Sequence, residues 1–145
     1  MRTEGGRPTA SAPDRVTVTI DGRTAEVPRD ATVLDAARQM GISIPTLCHY
    51  RGLDPYSACR VCLVEVETPR GPQYVPSCRH PVSADMVVRT DTEQVQESRR
   101  TILELLLAEA PESAELAEFA AGLGVESTPF ERLAEGECIL CGLCV

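Results

Sequence analysis

Residues 44–67 read IPTLCHYRGLDPYSACRVCLVEVE, and the two halves of this stretch obey different rules. The first half, broken by Pro45, Gly52 and Pro55, has neither helical nor strand periodicity and reads as a loop. From Cys62 onward Leu63, Glu65 and Glu67 alternate with Val64 and Val66, which predicts a strand with one buried face. The loop carries Cys48, Cys59 and Cys62, and Pro69-Arg70-Gly71-Pro72 turns the chain towards QYVPSC, which supplies Cys78. Four thiolates on a rigid frame can hold zinc or an iron-sulfur cluster, since both accept tetrahedral sulfur ligation.

Upstream, RVTVTIDGRTAEVP places Val16, Val18 and Ile20 on one face, then Asp21-Gly22, a strong hairpin signal, then a short strand through Ala25 and Val27. DATVLDAARQMG offers Asp30 or Thr32 as an N-cap, apolar residues at Val33, Leu34, Ala37 and Met40, and Gly41 as a stop, so one short amphipathic helix is expected. DMVVRT at 85–90 completes the sheet. The order β-β-α-loop-β-β predicts an α+β fold, a small mixed sheet packed on one helix. From Asp91 a long helix is expected, with Val95, Ser98, Ile102, Leu105 and Leu106 on one face and its end before Pro111. A second helix is expected over 111–125, with Pro111 at its start, Leu116, Phe119, Ala120 and Leu123 on one side, and Gly122 and Gly124 at its stop.

Charge and composition narrow the function classes. Residues 1–90 hold eleven arginines against ten acids, whereas residues 91–145 hold twelve acids against three arginines, so the acidity belongs to the last third, as a solvated helical face. Nucleic-acid binding is therefore not expected, because it needs cations along phosphates. No apolar run approaches the roughly 18 residues of a spanning helix, so direct membrane insertion is not expected either. The opening residues MRTEGGRPTASAPD lack an apolar signal core and read as a disordered lead-in over 1–14, which makes a cytoplasmic location the default. Seven cysteines in such a chain argue for ligation and against disulfides. No glycine-rich phosphate loop and no catalytic triad is visible, so no catalytic residue is assigned.

Spacing separates the candidates for the first cysteine group. A zinc ribbon uses two C-x2-C knuckles, and here only Cys59 and Cys62 form one. A 2Fe-2S cluster of plant ferredoxin type uses three loop cysteines and a remote fourth, which Cys48, Cys59, Cys62 and Cys78 reproduce with a longer first gap. Small residues in SACRVC let the loop close so that backbone N–H groups point at cluster sulfurs. His49 and His80 lie beside Cys48 and Cys78, but the four cysteines already complete the ligand set. Near the other end, ECILCGLCV spaces Cys138, Cys141 and Cys144 as the opening of the C-x2-C-x2-C-x3-C-P run of a 4Fe-4S cluster, whose fourth cysteine would lie just beyond Val145. That motif is expected to be completed in a longer, full-length parent.

The stretch IPTLCHYRGLDPYSACRVCLVEVE, with PSC and the segment RRTILELLLAEAP, resembles the N-terminal ferredoxin domain of the iron-sulfur subunit of NADH:quinone oxidoreductase (complex I). It is similar also to the small diaphorase subunit of NAD-reducing hydrogenases and to NAD-dependent formate dehydrogenases. The likeness spans roughly residues 15–110. It implies a β-grasp domain over 15–90 with a 2Fe-2S cluster on Cys48, Cys59, Cys62 and Cys78. In that family a His-x3-Cys-x2-Cys-x5-Cys site for a 4Fe-4S cluster follows, and Ala110, Ala114, Ala117 and Leu123 stand at those positions here. Residues 91–125 are thus expected to be a helical extension without that cluster, and 126–145 a linker with the incomplete 4Fe-4S motif.

The function so implied is that of an iron-sulfur electron-transfer subunit, with no catalytic site of its own, in a multi-subunit NAD(P)-linked oxidoreductase. Its implied partners are a flavin- and NAD(P)-binding diaphorase subunit and a catalytic subunit of hydrogenase, quinone-reducing or formate dehydrogenase type. The missing second cluster favours a soluble hydrogenase or a related flavin-linked assembly. Two alternatives are a zinc-stabilised interaction module that docks through the helices at 92–124 and a free-standing 2Fe-2S ferredoxin.

Overall fold

In the computed structural model, residues 14–133, 135–139, 141 and 144 are described, so nearly all of the expected lead-in at 1–14 lies outside them. Strand β1 (Arg15–Ile20) and strand β2 (Arg23–Pro28) pair antiparallel from Arg15↔Pro28 to Ile20↔Arg23. Asp21 and Gly22 make the turn with φ of 49° and 76°, the left-handed pair that a two-residue hairpin requires. Val16, Val18 and Ile20 all point inward and are buried.

Helix α1 (Val33–Gln39) starts at a capping box: the Asp35 backbone N–H donates to Thr32 Oγ1 at 3.2 Å, and the Thr32 N–H donates to Asp35 Oδ2 at 3.1 Å. Val33, Leu34, Ala36 and Ala37 give it one buried face against the sheet. After an irregular loop come β3 (Leu63–Val66), β4 (Gln73–Pro76) and β5 (Met86–Arg89). The sheet order is β2-β1-β5-β3-β4, with β1 parallel to β5 and the other neighbours antiparallel. This is the expected α+β architecture, the β-grasp arrangement of 2Fe-2S ferredoxins.

Helix α2 (Glu93–Glu109) leaves the sheet under the N-cap Thr92. Two long-range ties fix its direction. The Asp21 carboxylate accepts from the Thr90 backbone N–H at 2.8 Å and from its hydroxyl at 2.6 Å, and Arg99 donates to the Leu63 carbonyl at 2.6 Å. Leu103, at 1% exposure, is the most deeply buried leucine of α2, with Ile102, Leu106 and Leu107 packed on the same core, whereas Leu105, expected there, is 41% exposed. Helix α3 (Ala114–Gly122) begins three residues later than expected. The Ser113 hydroxyl accepts from the Leu116 N–H at 3.3 Å, so serine is the N-cap and Pro111 lies in the preceding turn. Gly124, at φ 80°, ends it: Gly124 and Val125 donate back to the Ala121 and Ala120 carbonyls, a Schellman closure.

The acids of α3 face outward, Glu115 and Glu118 being exposed, in line with a solvated acidic face. The segment after α3 folds back, with Leu133 donating to the Ala108 carbonyl at 3.0 Å and Glu112 donating to that of Gly136 at 3.3 Å.

Asp21 joins the first turn of the sheet to the entry of α2, so its loss acts at a distance. Asp21→Ala is expected to lower stability by about 2 kcal/mol, from two lost bonds to a carboxylate. Asp21→Asn, which tolerates positive φ and keeps an acceptor, is expected to lose about half as much. Midpoints of urea unfolding followed by circular dichroism read out both.

Candidate metal centre

Four cysteines come from three segments and are all buried: Cys48 at 2%, Cys59 at 6%, Cys62 at 2% and Cys78 at 1% exposure. They sit on the seam between two apolar clusters. Cys62 and Cys78 belong to the core between sheet and α1, while Cys48 and Cys59 belong to a second core with Val61, Leu103, Ala120 and Val125. Cys48 and Cys59 are held by the irregular loop and Cys62 at the mouth of β3, as the sequence anticipates.

The position of Cys78 is set by α1. A helix begins with backbone N–H groups that have no partner inside the helix, and here Val33 and Leu34 donate theirs to the His80 carbonyl at 2.9 Å and the Ser77 carbonyl at 3.0 Å. Those carbonyls flank Cys78. Ser77, fully buried, also donates twice to the Cys62 carbonyl, from its N–H at 3.1 Å and from its hydroxyl at 2.8 Å. Ser77 therefore couples the two cysteines that end up side by side.

Arginines latch the loop from outside. Arg79 donates to the Pro55 carbonyl at 3.0 Å, tying the loop to the segment that follows Cys78. Arg38 lies 3.1 Å from His49 Nε2, and since a guanidinium only donates, that nitrogen accepts and the neutral ring carries its proton on Nδ1. Burial and the Arg38 charge both lower the His49 pKa, which keeps it neutral. Nothing local in the sequence announces Arg38, Ser77 or Arg79, because each acts on a residue brought near only by the sheet.

The sulfurs are arranged in pairs. The Cys59 backbone N–H donates to Cys48 Sγ at 3.5 Å, and the Val61 N–H is directed at Cys59. Cys62 is held down to about 6, chiefly because the Cys78 thiol donates to it, against the opposing effect of burial. Cys78, giving up that hydrogen, is raised, and burial adds to the shift. Burial pushes Cys59 up to about 11. Among the described residues no three Cys, His, Asp or Glu side chains converge as one mononuclear ion requires. A binuclear cluster asks for something else, two thiolates at each iron.

Three buried side-chain polar atoms have no hydrogen-bond partner among the described residues, His49 Nδ1, Ser57 Oγ and Arg99 Nε, and two of their residues, Ser57 and Arg99, interact with these cysteines. His49 follows Cys48 in the chain, the Ser57 hydroxyl is directed at Cys78, and Arg99 and Cys62 attract each other electrostatically. All three are donors, given the His49 tautomer. Unused donors beside Cys78 and Cys62 fit an anionic guest, and a thiolate-bound 2Fe-2S cluster is one. A surface groove of about 620 Å³ along Thr19, Val88 and Thr92 has no cysteine or histidine in its lining.

The other cysteine group is less enclosed. Cys138 and Cys144 are exposed and Cys141 is half-buried against the second core, while residues 140, 142, 143 and 145 of the expected motif lie outside the described residues. Of the positions where the resemblance places a second cluster's ligands, Ala110 is buried, and Ala114, Ala117 and Leu123 face solvent.

Comparison with known proteins agrees with this geometry. The family described as the 2Fe-2S iron-sulfur cluster binding domain matches residues 13–93. The chain is 42% identical over 131 residues to the NADP-reducing hydrogenase subunit HndD of Solidesulfovibrio fructosivorans, covering 80% of this chain and 22% of that protein. It is 43% identical over 96 residues to the NADH-ubiquinone oxidoreductase 75 kDa subunit of Reclinomonas americana, covering 66% of this chain and 14% of that protein. It thus spans about a fifth or less of these relatives. Among solved structures, a chain of an NAD+-reducing NiFe-hydrogenase in the H2-reduced state superposes with a TM-score of 0.78 at 28% identity, over 90% of this chain and 64% of that one.

Removing the Ser77 hydroxyl tests how tightly Cys62 and Cys78 are coupled. Ser77→Ala is expected to lower the urea midpoint by the equivalent of about 1 kcal/mol, while Ser83→Ala, at an exposed position, leaves it unchanged.

Proposed function

The chain belongs to the family of 2Fe-2S iron-sulfur cluster binding domains, and from that premise we propose that it is the electron-transfer portion of an iron-sulfur subunit in a multi-subunit NAD(P)-linked oxidoreductase. The observation that carries this reading is the pairing of four buried cysteine sulfurs, with unused donors beside Cys78 and Cys62. In this reading Cys48 and Cys59 hold one iron, and Cys62 and Cys78 the other. When bound, the cluster supplies one-electron storage at a potential set by burial and by hydrogen bonds to sulfur.

The chain's own residues make that storage usable. Val61, Leu103 and the leucines around them exclude water from the Cys48 side, and the sheet core does so from the Cys62 side. The Cys59 and Val61 N–H groups offset negative charge at sulfur. Arg99, a half-buried cation, acts on Cys62 in the same sense.

The proposed division of labour is a cluster-bearing domain over 15–90, a helical extension over 91–125, and a linker with an incomplete motif over 126–145. Cys138, Cys141 and Cys144 would serve a 4Fe-4S cluster in a longer parent; their spacing and the packing of Cys141 on the second core support this. The partners proposed are a flavin- and NAD(P)-binding diaphorase subunit and a catalytic subunit, in keeping with the hydrogenase and NADH-ubiquinone oxidoreductase subunits among the relatives. Among the described residues no helix is long and apolar enough to cross a membrane. Reduced, ligand-grade thiols suit a cytoplasmic setting.

Anaerobic purification tests the reading. The protein is expected to carry about two irons in this domain, to absorb in the visible, and to give a 2Fe-2S electron paramagnetic resonance signal after dithionite. Serine at Cys48, Cys59, Cys62 or Cys78 is expected to abolish or strongly alter that signal. A colourless protein with stoichiometric zinc and no iron would overturn the electron-transfer reading in favour of the zinc-stabilised module.

A further inference from the structure

We propose that Ser57 sets the electron affinity of the centre by donating its hydroxyl to the sulfur of Cys78, a role that rests on the 2Fe-2S reading. Ser57 stands two residues before Cys59 and is buried, at 7% exposure. Its backbone has φ 63°, a left-handed conformation that glycine adopts freely and an L side chain adopts at a penalty. The side chain is thus kept where the backbone disfavours it, and its hydroxyl is buried with no hydrogen-bond partner among the described residues. A buried polar group in that state is destabilising unless something accepts from it.

The acceptor is indicated by the surroundings. Ser57 lines a groove of about 380 Å³ with Arg60, Pro76, Arg79 and His80, so it faces the segment that carries Cys78. Its hydroxyl is directed at the Cys78 sulfur, although the approach falls outside hydrogen-bond geometry while that sulfur is a thiol. A sulfur bound to iron is an anion and a better acceptor than a thiol. When a one-electron reductant loads the centre, its charge becomes one unit more negative and no bond to the protein is made or broken. A donor on sulfur stabilises that reduced state more than the oxidised one, so Ser57 raises the potential.

Wild type, Ser57→Gly and Ser57→Ala can be compared by anaerobic potentiometric titration followed by electron paramagnetic resonance. Glycine relieves the backbone and alanine keeps it strained, so a change common to both belongs to the hydroxyl. Both variants are expected to titrate lower by about tenfold in the reduced-to-oxidised ratio at fixed poise, which is about 59 mV for one electron. Resonance Raman provides a second reading: the iron–sulfur(cysteine) bands of the wild type are expected to shift in D2O, and the shift is expected to be smaller in Ser57→Gly, where only backbone N–H donors remain. Equal potentials in three cluster-bearing proteins, or a wild type insensitive to D2O, would overturn the role of Ser57 alone. A wild type with no 2Fe-2S signal would overturn the cluster reading, and this role with it.

Discussion

Val33 and Leu34 give the first two N–H groups of α1 to the carbonyls of His80 and Ser77, and through those two bonds a helix on one face of the sheet decides where the fourth sulfur goes. Everything else at the centre is arranged around that fixed point. Ser77 passes the constraint on to the Cys62 carbonyl, Arg79 hooks the loop at Pro55, and the loop delivers Cys48 and Cys59 to the opposite side. The capping box at Thr32 matters for the same reason, since it sets where the helix starts. A start shifted by one residue would present different N–H groups to the Cys78 segment.

Much of the fold could be read from local pattern. Asp21-Gly22 specified the hairpin because its turn needs positive φ at both positions, and the alternation from Leu63 to Glu67 specified a strand with Val64 and Val66 inside. Local pattern failed where two local signals competed. Pro111 is a good first helical residue, but Ser113 can accept from the Leu116 N–H, so the helix starts after the serine. The helical spacing put Leu105 on the inner face of α2, and the structure buries Leu103 there and leaves Leu105 exposed.

The cysteines divide in the same way. Their number and spacing announced a sulfur-rich centre, because ligand spacing is a one-dimensional property. Their pairing was not legible, since it depends on a helix, a sheet and a loop meeting at one seam. Nor could the sequence show that Ser57 would be left-handed and buried with an unused hydroxyl, or that Arg38 would fix the tautomer of His49. Ala110, Ala114, Ala117 and Leu123 stand where the resemblance places a second cluster's ligands, and three of those positions face solvent.

The seam has one more implication. Two hydrophobic cores meet at the same four sulfurs, so neither is sealed by hydrocarbon alone. Since a site built from distant segments scarcely exists in the unfolded chain, the free energy of loading it counts as free energy of folding. Mass action then ties the lifetime of the whole polypeptide to the supply of iron and sulfide. A chain that left the ribosome and missed its cofactor would be conspicuous to proteases at the junction between its halves, and the centre would act as a proofreading step in the protein's own maturation.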